Sequence, residues 1–194
     1  MDTIGVNDAS CIRCGRCVKV CPSQIFVQEK AGGDVTLHKP ENCILCGHCV
    51  AACPTGSVNH AEFPAERVHA VDYGAMPTPE QVELLLAVRR SNRALSARPV
   101  PQELLDAVLE AGTYAPTGRG QQSPVIIAVS AAEYRKKIAE LNAAVMGKDG
   151  DPYYGAPTVI LVLTDKDSAT GVEDASCVLE NMMLAACLLY TSDA

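Results

Sequence analysis

Eight of the ten cysteines fall into two copies of one pattern. Cys11-Ile-Arg-Cys14-Gly-Arg-Cys17-Val-Lys-Val-Cys21-Pro22 returns as Cys43-Ile-Leu-Cys46-Gly-His-Cys49-Val-Ala-Ala-Cys53-Pro54, with the same offset at every cysteine, the glycine and the proline. Thiolates are soft ligands, and a 4Fe-4S cube offers four iron corners that each want one. Three cysteines at x2, x2 spacing can wrap a cube from a tight loop whose amides point at its sulfides. Gly15 and Gly47 lie inside those loops, where a missing Cβ or a positive φ lets the backbone approach. Zinc would need only four ligands and would leave Cys17 and Cys49 unexplained. Disulfides need an oxidising compartment, for which nothing in the sequence argues. The implied chemistry is one-electron transfer.

These motifs resemble the bacterial-type two-cluster ferredoxins over roughly residues 5–60. The resemblance implies crossed ligation, general in that family. Cys11, Cys14, Cys17 and Cys53 would hold one cluster, and Cys43, Cys46, Cys49 and Cys21 the other. The exact repeat also implies two superimposable half-units packed as a pseudo-dimer. Between them, Ile25–Gln28 and Val35–His38 read as short strands around the Gly32-Gly33-Asp34 turn.

From His60 to Thr78 the pattern lapses, with Pro64, Gly74 and Pro77 breaking any period. The expected division is a two-cluster domain over 1–60, a linker over 61–78 and a second domain over 79–186. Thr78-Pro79-Glu80-Gln81 has the spacing of a capping box with Pro at the first helical position. Val82, Leu85, Leu86 and Arg89 continue at helical spacing, and a second helix from Pro101 carries Leu104, Leu105, Val108 and Leu109. Val125–Val129 and Thr158–Leu163 are β-branched runs that read as buried strands. A helix over about Ala131–Asn142 lies between them, and another starts near Gly171. Cys177 reads as a small buried helical residue.

Arg89-Arg90-Ser91-Asn92-Arg93 follows the first of these helices, where basic side chains suit a helix C-terminus without any ligand. Ala115-Pro116-Thr117-Gly118-Arg119-Gly120-Gln121-Gln122 is a Gly/Pro/Gln loop feeding a strand, a composition that suits backbone laid against a flat ligand and equally a plain connection. Together, in order, with Tyr154-Gly155-Ala156-Pro157 and Glu173-Asp174-Ala175-Ser176 followed by Glu180–Ala186, these stretches resemble the nitroreductase family of FMN enzymes from about residue 80 to 186. The resemblance implies that Arg89, Ser91 and Arg93 hold the FMN phosphate, with Arg90 contributing at least backbone. It implies that Pro116, Thr117, Gly118 and Gln122 lie against the isoalloxazine, and that the helix from Gly171 builds a homodimer. Gly120 stands where many members carry Asn. No catalytic acid is identifiable.

The fold class expected is α+β: a small ferredoxin-like domain followed by an incomplete nitroreductase-type α/β sandwich. A net charge of −7 without any Lys/Arg run argues against nucleic acid. The start lacks an export signal and the apolar runs are too short for a membrane span, so the expected location is the cytoplasm. Cys187–Ala194 can be written in codons as TGT CTC TTA TAC ACA TCT GAC GCT, which resembles a transposon-type sequencing adaptor; residues 187–194 are expected to be a non-native tail. The function expected is an iron–sulfur flavoprotein oxidoreductase. It would take electrons from a donor protein or reduced nicotinamide and pass them through two 4Fe-4S clusters and FMN to a nitroaromatic, quinone or enone. The alternative is a ferredoxin-type carrier or redox sensor whose second domain only docks.

Overall fold

A computed structural model describes residues 3–68 and 70–190. The chain divides into two compact units, one extending to Met76 and taking in Arg119–Gln121, the other starting at Pro77.

The first unit is two half-units of the same plan. Strand β1 (Ile4–Val6) pairs antiparallel with β4 (Val58–His60), and β2 (Phe26–Val27) pairs with β3 (Thr36–Leu37). Helices α1 (Arg16–Val20) and α2 (His48–Ala51) start at Gly15 and Gly47, both left-handed with φ of 69° and 71°. The repeat extends to the backbone: Arg13 and Leu45 are left-handed, as are Gln24 and Gly56. Ile4, Ile25, Phe26, Val35 and Val58 form the core together with Cys17 and Cys49. The expected strands around the Gly32-Gly33-Asp34 turn are present but only two residues long.

In the second unit, α3 (Pro79–Val88) opens on the Thr78 capping box, with the Gln81 amide donating to Thr78 Oγ1 and the Thr78 amide to Gln81 Oε1. Its apolar stripe buries nothing; Val82 and Leu86 are exposed. Helix α4 (Gln102–Thr113) buries Leu105 and Val108, as its spacing predicts, and packs on α6 (Gly171–Tyr190). At that crossing Gly112 has no room for a side chain, since a Cβ would stand 2.8 Å from Ile126 Cδ1 and 3.0 Å from Met182 Cγ. Helix α5 (Ala132–Met146) links β5 (Val125–Val129) to β6 (Val159–Leu163), which pair antiparallel.

The expectation of two buried strands is corrected here. Ile126, Ile160 and Val162 pack against Val108, Val178 and Met182, whereas Val125, Ile127 and Leu163 on the opposite face are 39–55% exposed. A β-branched run shows that a strand can be covered on both faces; here α4 and α6 back one face, and the other is covered only at the Val159 end, where that residue is 4% exposed. Cys177 is half-buried against the same core rather than fully enclosed. Cys187, Leu188 and Leu189 continue α6, and residues 191–194 of the suspected tail lie outside the described residues. No described helix is long and apolar enough to cross a membrane.

Candidate cluster cavities and flavin-facing segments

Two small cavities lie in the first unit. The first is lined by Cys43, Cys46, Cys49 and Cys21; the second by Cys11, Cys14, Cys17 and Cys53. Each therefore gathers three cysteines of one motif and the proline-preceding cysteine of the other. The folding explains the exchange: α1 and α2 turn inward at Gly15 and Gly47, and pack on one another. All eight thiols are free. Four thiols around each cavity match in number the four iron corners of a cube.

The surrounding backbone supplies donors. The Ile25 amide donates to Cys21 Sγ at 3.4 Å, and at the equivalent place in the other half the Ser57 amide donates to Cys53 Sγ at 3.2 Å. Burial pushes the Cys17 thiol up, and pushes Cys49 up to about 11. Burial acts the same way on Cys53, but donors from Thr55, Ser57 and Val58 outweigh it and hold that thiol below its ordinary value. Every cysteine ligand binds iron as a thiolate, so loading the clusters releases protons.

The loop glycines differ in what crowds them. A Cβ on Gly15 would meet only the end of the Gln28 side chain at 2.8 Å, whereas on Gly47 it would meet the Phe63 ring at 3.0–3.1 Å. Both carry positive φ, which costs a residue with a Cβ about 1–2 kcal/mol. Gly47→Ala is expected to destabilise the cluster-loaded unit by more than Gly15→Ala, because a packed ring yields less than a flexible amide. Thermal melts followed at the cluster absorbance check this, and an equal or reversed order would contradict it.

One histidine that the sequence reading passed over also lines the first cavity. His60 is buried, and its Nε2 lies 3.5 Å from Cys43 Sγ. No spacing rule marks it. The only sequence signal is that Gln28 holds the same place in the other repeat.

In the second unit the two expected flavin-facing segments are each placed by their own contacts, and no described hydrogen bond or ion pair joins them. Arg89 Nε lies 3.6 Å from Glu180 Oε1. Arg90 donates to the carbonyls of Ala87 and Arg89 at 2.6 and 2.9 Å, so it caps the end of α3. Arg93 donates to the Tyr154 hydroxyl at 3.2 Å, its guanidinium carbon 5.7 Å from the ring centroid. Ser91 is exposed. The loop from Pro116 to Gln122 is tied to itself: the Gln122 amide donates to Thr117 Oγ1 at 2.9 Å, and its side chain to the Ala115 carbonyl at 3.3 Å. Asp174, buried in the first turn of α6, anchors it further. Its Oδ1 accepts from the Gly118 amide at 2.8 Å and its Oδ2 from the Thr170 hydroxyl at 3.0 Å. A Cβ on Gly118 would collide with Thr170, so this glycine is needed for the close approach of loop and helix start. Asp174, Glu180 and Tyr154 thus place residues that the sequence reading named without their supports.

The comparisons with known proteins follow this division. Residues 10–57 match the 4Fe-4S dicluster domain, and residues 86–189 match the nitroreductase family. A Methanothermobacter thermautotrophicus protein carrying the name NADH dehydrogenase/NAD(P)H nitroreductase is 33% identical over 106 residues, covering 52% of each chain. A Bacteroides fragilis nitroreductase solved with bound FMN aligns with a TM-score of 0.51 at 30% identity, over 56% of this chain and 65% of that one. An FMN-dependent nitroreductase of Clostridium difficile aligns with a TM-score of 0.52 at 26% identity, over 58% of each chain. The chain spans about half the length of its curated relative and under two thirds of these structures. With more than half its length matched by that family model, the chain belongs to the nitroreductase family, with a 4Fe-4S dicluster domain ahead of the nitroreductase domain.

Proposed function

We propose that this protein is an iron–sulfur flavoprotein oxidoreductase, reducing a small electrophile of the nitroaromatic, quinone or enone type. The observation that carries the reading is the pairing of two cavities, each lined by a three-plus-one cysteine set, with a nitroreductase domain on the same chain. Cys11, Cys14, Cys17 and Cys53 hold one cluster, and Cys21, Cys43, Cys46 and Cys49 the other. When bound, the clusters supply single electrons and FMN converts them into the pair that such an acceptor needs.

The chain's own residues do the holding. Arg89, Ser91 and Arg93 are the phosphate donors; guanidinium groups pair bidentately with phosphate oxygens, and the hydroxyl adds one more bond. Glu180 lies within ion-pair reach of Arg89, and the Tyr154 hydroxyl accepts from Arg93. Arg90, with its Nη1 bonded to α3 carbonyls, contributes main chain. Pro116, Thr117, Gly118 and Gln122 form the ring-facing loop, kept rigid by Asp174. The electron donor is a protein or reduced nicotinamide, and the working form is a homodimer through this domain.

The phosphate assignment makes a graded prediction. Arg89→Ala should weaken FMN binding roughly ten- to a hundredfold, the loss of a charge-assisted bond. Arg90→Ala should change it by less than about threefold, since its side chain is spent on the helix end. Flavin fluorescence titration of the full-length gene product reads both. Wild-type affinity in Arg89→Ala would remove that residue from the phosphate site.

A further inference from the structure

We propose that His60 is an N–H···S donor to Cys43 that raises the reduction potential of the cluster held by Cys21, Cys43, Cys46 and Cys49. The inference rests on the ligand assignment of the proposed function and adds to it a residue with a defined electronic task.

The geometry fixes both the ring and its proton. Position 60 pairs with Ile4 in the β1–β4 ladder and points into the unit, where only 5% of the residue remains exposed. The ring meets Phe63 edge-on, with centroids 5.0 Å apart at 62°. Its Nδ1 accepts the Glu62 amide proton at 3.1 Å. A nitrogen that accepts carries no proton, so the neutral ring holds its hydrogen on Nε2. That atom is the one 3.5 Å from Cys43 Sγ. The donor is thus oriented by contacts of the protein itself, the Glu62 amide and the Phe63 ring.

The consequence for the cluster follows from charge. Reduction adds one electron to the cube, supplied by an external reductant, and moves no proton. The added charge spreads onto the cysteine sulfurs, where an N–H donor stabilises it more than it stabilises the oxidised form. The reduced state is favoured, and the potential rises.

The repeat provides an internal comparison. Gln28 occupies the equivalent position in the other half, but its amide nitrogen donates to the carbonyls of Arg13 at 3.0 Å and Gly33 at 2.7 Å. Among the described residues, Cys11 has no side-chain donor matching His60. The backbone donors to Cys21 and Cys53 are equivalent in the two halves. The other cavity has one extra contact of its own, the Thr55 hydroxyl 3.8 Å from Cys53 Sγ, from an oxygen also bonded to Ser57 at 2.6 Å. The His60 contact is the shorter, and its hydrogen has no second acceptor among the described residues.

The test uses the full-length protein, reconstituted anaerobically and titrated with redox mediators while its EPR spectrum is followed. His60→Leu keeps the bulk and removes the donor. One of the two one-electron steps should become harder by about tenfold in its equilibrium constant, about 59 mV for one electron. The other step should not move. His60→Gln, which returns an amide N–H, should recover part of the shift. A fully loaded His60→Leu protein with both steps unchanged would overturn the inference while leaving the ligand assignment intact. If that variant does not load, a His48→Gln protein, which keeps His60 as the one histidine lining that cavity among the described residues, decides: with 15N-histidine, pulsed EPR should show an imidazole nitrogen coupled to one reduced cluster. No such coupling in that protein with both clusters present would equally overturn it. Wild type that takes up fewer than two clusters would refute the ligand assignment itself, and this inference with it.

Discussion

Stripping iron from this protein should unfold its first unit and leave the second folded. The first unit has little else to stand on. Its helices are five and four residues long and its strands two or three. Helices that short do not persist without tertiary support, and a small core of this kind gains much of its stability from a bound metal. Cys17 and Cys49 are members of the core, and Cys11, Cys21, Cys43 and Cys53 pack around it. These side chains line the two cavities, so removing the clusters loses both the ligand bonds and the packing they hold together. Anaerobic chelation, followed by hydrogen exchange, should abolish protection of the β1–β4 ladder while α4 and α6 stay protected. Native-like protection of Ile4–Val6 and Val58–His60 in the iron-free protein would show that the polypeptide alone specifies this unit.

Asp174→Ala should be among the most damaging single changes in the second unit. The carboxylate is 5% exposed and makes two bonds, to the Gly118 amide and the Thr170 hydroxyl, from the first turn of α6. Its removal orphans both donors and takes a negative charge from a helix N-terminus. A destabilisation of about 2–4 kcal/mol is expected, near the upper end for one buried polar residue. Asp174→Asn should cost less, because its amide oxygen can still accept from Gly118 while its nitrogen can donate to Thr170. The effect should reach the flavin, since Asp174 holds the loop carrying Pro116, Thr117 and Gly118. Urea melts give the stability order, and FMN titration of the folded variants gives the second consequence. Asp174→Ala with wild-type stability would mean that the loop is held by other contacts.

The parts of the molecule that could be read from sequence are those whose physics is local. Cysteine spacing constrains a single loop, so the two motifs and their shared offset were visible, and the cavities gather the same two sets of four. The Thr78–Gln81 box is a four-residue device and formed as written. The dipole reading of the arginine run holds for Arg90, which sits on the last carbonyls of α3. What escaped depends on partners distant in sequence. Composition alone did not reveal that the second face of β5 and β6 would be covered only around Val159. Nor did helical spacing reveal that the stripe of α3 would bury nothing. His60 and Asp174 become meaningful only once β4 meets β1 and the Gly118 loop meets α6. A buried polar residue acts through what faces it, and spacing along the chain carries no record of that.

The most direct test is the cofactor content of the full-length gene product purified without oxygen. Iron, acid-labile sulfide and flavin are measured per chain. Two 4Fe-4S clusters and one FMN predict about eight irons, about eight sulfides and about one flavin. Reduction of the clusters with dithionite or a reduced ferredoxin should then support turnover of a nitroaromatic dye, which the apoprotein should not catalyse. About eight irons with no flavin, even after incubation with excess FMN, would contradict the oxidoreductase reading and leave an electron carrier or sensor in its place.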